Sequence, residues 1–144
     1  MKHTSWIALA AFSLAVPFAA APAFAEIMTF KATLSGSEEV PATTSKGTGA
    51  VDVTYDSAAK KLTWKGAYTG LTGEATAAHF HGPAESGKNA GVAVPLPSAA
   101  SPLEGSSALT DGQAADLMAG KMYFNVHTAA NPNGEIRGQV IKAK

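Results

Sequence analysis

The chain contains no cysteine. Disulfides are therefore excluded, and so is the thiol that a bacterial lipoprotein anchor needs. Charge is sparse and balanced, with eleven basic and eleven acidic residues making up 15% of the 144. No basic run or basic–aromatic stripe is present to neutralise phosphates, which argues against a nucleic-acid partner. Charge patterning offers no membrane-surface helix. No serine–histidine–acid order, phosphate-cradling glycine loop or close carboxylate pair stands out, so no catalytic residue is assigned.

What is present begins with a leader. Met1, Lys2 and His3 precede an apolar run from Trp6 through Phe24, which ends in Ala23-Phe24-Ala25. A short basic start, an apolar stretch and small residues at an A-x-A site make a secretory signal peptide. Pro17, Pro22 and the small-residue end favour cleavage over an uncleaved membrane anchor. The expected leader is residues 1–25, leaving a mature domain of residues 26–144 that is periplasmic or secreted. After Ala25 no apolar run is long enough to span a bilayer. Eleven basic residues less Lys2 leave ten against eleven acidic, so the mature charge is near zero. A domain this small without disulfides depends on its apolar core, with a metal as one further source of stability.

Short alternating segments broken by Gly, Pro, Ser and Asn dominate the rest. Residues 29–34 read as a first strand. Residues 49–55 and 61–68 read as a hairpin around a turn at 56–60. Residues 75–81 make a strand stopped by Gly82-Pro83, since proline cannot donate to a ladder. Residues 84–107 read as a long loop region with one apolar piece, Val92-Ala93-Val94. Thr110-Asp111-Gly112-Gln113 has the form of a capping box, opening a short helix over 111–119 that closes at Gly120. Two strands finish the domain. Met122, Phe124 and Val126 point inward, and Tyr123, Asn125 and His127 point outward. After the Asn131-Pro132-Asn133-Gly134 turn, Ile136 and Val140 face the core, while Glu135, Arg137 and Gln139 face out. The expected fold is all-β, a Greek-key antiparallel sandwich or barrel with one short helix.

Three histidines remain beyond the leader: His79, His81 and His127. Residues two apart in a strand share a face, so His79 and His81 lie together, opposite Phe80. His127 falls on the outer face by the same alternation. Three imidazoles suit zinc, copper or nickel and leave a coordination position open. The competing reading is that they are ordinary polar side chains on a solvated face. Strand order, which decides whether His127 joins the pair, is not fixed by alternation. Arg137 is read either as a cation beside the open position, attracting a small anion, or as a surface arginine paired with Glu135, Glu39 or another carboxylate.

Four ordered stretches resemble the CHRD (chordin-domain) family: residues 30–41, FKATLSGSEEVP; residues 78–82, AHFHG; residues 117–128, with LMAG and YFNVHT; and residues 131–139, NPNGEIRGQ. The match runs from about Phe30 to Val140. Ala42 departs from the second proline that many members carry. The resemblance implies an extracellular β domain, but it settles fold and compartment better than activity. A weaker similarity links His79-Phe80-His81 to the copper-ligand strand of copper–zinc superoxide dismutase, with His127 as a later ligand and Arg137 as the anion-guiding arginine. The cysteines and further histidines of that enzyme are missing, so only a copper-only site is implied. Copper is thus the favoured ion and zinc the substitute. The alternatives are a metal-free module that binds an envelope or extracellular protein or a wall polymer through the 84–107 loop, and a copper-only dismutase-like enzyme.

Overall fold

The computed structural model describes residues 24–144. The leader lies outside these residues except for Phe24 and Ala25. Among the described residues nine strands run in chain order: β1 Ile27–Ser35, β2 Thr48–Asp56, β3 Lys61–Thr69, β4 Ala75–His81, β5 Val92–Pro95, β6 Leu103–Ala108, β7 Tyr123–Thr128, β8 Ile136–Gln139 and β9 Ile141–Lys142. One helix, α1 (Asp111–Met118), precedes β7, and a single 3-10 turn spans Gly36–Glu38.

Every strand pair is antiparallel, in the order β5-β4-β7-β8-β1-β2-β3-β6, with β9 also on β1. β1, β2 and β3 form a meander, and the chain returns much later to lay β8 beside β1, a Greek-key arrangement. The sheet curls into a nearly closed barrel. Trp64 of β3 and Phe80 of β4 are far apart in sheet order, yet their ring centroids are 5.5 Å apart across the core. Phe80 also meets Phe124 at 4.9 Å.

Alternation builds this core from β1 onward: Met28, Phe30, Ala32 and Leu34 are buried while their neighbours are exposed. Val51, Val53 and Tyr55 continue it on β2, and Leu62 and Trp64 on β3. The β2–β3 turn is made by Asp56, whose carboxylate accepts from the Ala58 and Ala59 amides at 2.9 and 3.0 Å. Helix α1 has the expected capping box, with Gln113 N–H donating to Thr110 Oγ1 and Thr110 N–H to Gln113 Oε1. It ends in a Schellman pair, Gly120 N–H to Leu117 O and Lys121 N–H to Asp116 O, with Gly120 at φ +70°.

Two expectations are corrected. Residues 84–107 are not one long loop, because β6 occupies its end and pairs with β3 along six residues. Gly105 and two serines hide that strand in the sequence. The glycine is required because Trp64 lies directly over it, and a Cβ there would sit 2.5 Å from the indole. The outer face of β7 and β8 is also not solvated: Asn125, Glu135 and Arg137 are all buried, under the segments before β2 and before β5.

Candidate metal centre

Strand β4 pairs directly with β7, so the order left open by the sequence brings all three histidines together. His81 lies opposite Tyr123, His79 opposite Asn125, and Ala77 opposite His127. The register shifts beside both ends of this patch, between Ala75 and Ala77 and, against β5, between Phe80 and His81. One ligand atom from each of His79, His81 and His127 lies within 4.8 Å of the others.

Hydrogen bonds fix the tautomers of two rings. His127 Nδ1 is 2.9 Å from the Pro132 carbonyl, and His81 Nδ1 is 3.1 Å from the Ala90 carbonyl. A carbonyl only accepts, so each Nδ1 carries the proton and each Nε2 presents a lone pair. His127 Nε2 meets His79 Nδ1 at 3.0 Å, and with its own proton on Nδ1 it is the acceptor of that contact. Among the described residues the buried His81 Nε2 has no hydrogen-bond partner, on a residue only 7% exposed. Burial lowers the His79 pKa, with His127 and His81 adding to the effect. Burial likewise lowers that of His81, against the pull of the Ala90 carbonyl and of the nearby Asn125 side chain. Both rings are held neutral, the form that binds a metal.

The surroundings hold this cluster rigid. His81 stacks on Tyr123 with ring planes 3° apart and centroids 4.7 Å apart, and Tyr123 Oη both accepts from the Ala90 amide and donates to its carbonyl. The Pro132 carbonyl that orients His127 belongs to a turn pinned by Glu135. That carboxylate accepts from Ser45 Oγ, Thr72 N–H, Thr72 Oγ1, Thr128 Oγ1 and Asn131 Nδ2. Burial would raise its pKa, but the donors from Ser45, Thr128 and Thr72 outweigh that and hold it at about 2. Such partners around a histidine site orient rings and tune their basicity.

Arg137 is on the outer face, as alternation predicts, but only 2% exposed. Its guanidinium donates to Asn89 Oδ1 at 2.9 Å and to the Lys88 carbonyl at 2.6 Å. Neither the Glu135 pairing nor the Glu39 pairing is formed within ion-pair distance among the described residues. The arginine ties the 88–90 segment down over Tyr123, so the first part of the expected interaction loop is anchored. The sequence reading gives Tyr123 and Asn125 no role at the site, and names Glu39 and Glu135 only as partners of Arg137. Alternation does place Tyr123 and Asn125 on the face of His127, and that signal could have found them.

Glu39 lies behind the cluster. Burial pushes its carboxyl up to about 7, against the Asn125 hydrogen bond and the Arg137 charge. Asn125 Nδ2 donates to it at 3.3 Å.

No match is found among curated proteins or among solved structures. The family model for the CHRD domain matches residues 30–140, from the second buried residue of β1 to the residue after β8, and the chain belongs to the CHRD domain family.

Proposed function

We propose that this is an exported metal-binding protein whose mature domain holds one ion, copper by preference and zinc as the substitute, through His79, His81 and His127. The observation that carries this reading is the buried His81 Nε2 lone pair without a partner, in a cluster whose ligand atoms lie within 4.8 Å of one another. Two of the rings are held neutral, and two are oriented by backbone carbonyls. A first-row ion bound at about 2.0–2.1 Å requires nitrogens no more than about 4.2 Å apart, so small ring rotations suffice to close the site. The ion would replace the His79–His127 hydrogen bond. Three imidazoles without thiolate or carboxylate suit copper(II) or zinc.

Export through the 1–25 leader and residence in the periplasm or outside the cell complete the proposal. Arg137 would support the His81–Tyr123 stack. Its buried, hydrogen-bonded guanidinium leaves the guiding of anions without support. Calorimetry on the mature domain at neutral pH should find one Cu²⁺ or Zn²⁺ per chain, and His81→Ala should weaken binding at least ~100-fold. Absence of binding to the wild-type domain by either ion would reject the function.

A further inference from the structure

Asn125 stands at the centre of the histidine cluster. His79 is directly across on β4, His127 is two residues along β7, and His81 is on the diagonal. The residue is only 2% exposed, and its Oδ1 has no hydrogen-bond partner among the described residues. The orientation of the amide is set from the other side. Nδ2 donates toward Glu39 Oε1 and toward the Asn133 carbonyl at 3.5 Å, and a carbonyl cannot donate back.

Buried side-chain acceptors without a partner are rare in native folds, and each asks for a reason. The Asn125 side chain faces the His81 ring and favours its charged form, but no neutral ring here has an N–H to spare. His127 gives its N–H to Pro132, His81 gives its N–H to Ala90, and His79 Nδ1 faces the lone pair of His127. The patch therefore joins imidazole lone pairs to one carbonyl acceptor. The lone pairs ask for a cation. The carbonyl asks for a hydrogen.

We infer that the fourth coordination position of the ion takes a small O–H donor, water or hydroxide, whose hydrogen is accepted by Asn125 Oδ1. This rests on the three-histidine metal reading. Asn125 is then a positioning residue that selects a protic ligand over one that can only accept, because a chloride or azide beside Oδ1 would face the carbonyl dipole with nothing to donate.

The test uses Cu²⁺-loaded mature protein in D₂O, with pulsed electron paramagnetic resonance detecting exchangeable deuterons at the copper. The expected result is one copper per chain with a strongly coupled exchangeable deuteron pair or single deuteron. Asn125→Ala should keep copper within about tenfold of the wild-type affinity and bind chloride or azide about tenfold more tightly, the scale of one hydrogen bond. Wild-type protein that binds copper with no exchangeable deuteron beyond the weakly coupled ring N–D groups would overturn the inference and leave the metal reading standing. Unchanged chloride and azide affinity in Asn125→Ala would overturn it too. Wild-type protein that binds no copper or zinc would overturn the metal reading itself. If Asn125→Ala does not fold, the wild-type deuteron measurement decides.

Discussion

The guanidinium carbon of Arg137 lies 3.4 Å from the centroid of the Tyr123 ring. Tyr123 is also the ring on which His81 stacks, so a cation on β8 and an imidazole on β4 are joined through one aromatic side chain on β7. Arg137→Lys keeps the charge but loses the planar fork that reaches Asn89 and the Lys88 carbonyl while stacking. The expected loss is about 2 kcal/mol of stability in denaturant unfolding. Exchange of the Ala90 amide, which donates to Tyr123 Oη, should accelerate. An arginine that served to attract anions would show a salt-dependent effect. A packing role predicts nearly the same loss at low and high salt.

Metal binding to the folded state alone must raise its melting temperature. At an ion concentration a hundred times Kd, the stabilisation is about 2.7 kcal/mol. For a domain of this size that is on the order of 10 °C. His127→Ala should melt near the wild-type apoprotein and no longer respond to copper or zinc. A variant with an undiminished thermal shift would show that the ion binds elsewhere.

Glu39 predicts a loss of stability with rising pH. Its folded pKa of about 7 is above the ordinary 4.5, so its contribution is fully present below pH 4.5 and lost as pH rises through 7. Glu39→Gln keeps the shape and an acceptor for Asn125 while remaining neutral. The metal-free variant should match wild type near pH 4 and exceed it by up to about 3 kcal/mol at pH 8. Parallel stability curves from pH 4 to 8 would show that the carboxyl is not held protonated.

Glu135 has the opposite sign. Its folded pKa of about 2 is below 4.5, so its stabilisation is present above pH 4.5 and lost as pH falls towards 2. Glu135→Gln turns an NH₂ group toward hydroxyl and amide donors, and the expected cost at pH 7 is about 3 kcal/mol. The variant should also lose stability less steeply than wild type between pH 4.5 and 2. Urea midpoints at several pH values check both points.

How much of this was legible depends on the range of the interaction. The β2–β3 hairpin, the capping box and the shared face of His79 and His81 are local patterns, and residues a few positions apart determine them. The meeting of His127 with that pair depends on β4 lying beside β7, a pairing of segments some fifty residues apart that alternation does not specify. Strand β6 was hidden because Gly105 resembles a loop residue until Trp64 is known to cover it. Patterning with period 2 puts Arg137 and Glu135 on the outward side, because it reports the side of a sheet and not what lies over it. Here the 88–90 segment covers Arg137, and Ser45 and Thr72 close over Glu135.

Gly134 links the turn to the site most tightly. Its φ is +125°, a region that side chains rarely adopt. A Cβ at this position would also run into Glu39 Oε1 and Asn125 Nδ2, both held by the buried network behind the histidines. Gly134→Ala therefore has two costs, backbone strain and displacement of Asn125, together at least about 2 kcal/mol. Because Pro132 is two residues earlier, the same shift should move the carbonyl that orients His127. The variant should unfold at lower urea and, while still folded, bind copper or zinc more weakly than wild type. If stability falls but metal affinity is unchanged, the turn serves the fold alone, and His127 keeps its orientation without the Pro132 carbonyl.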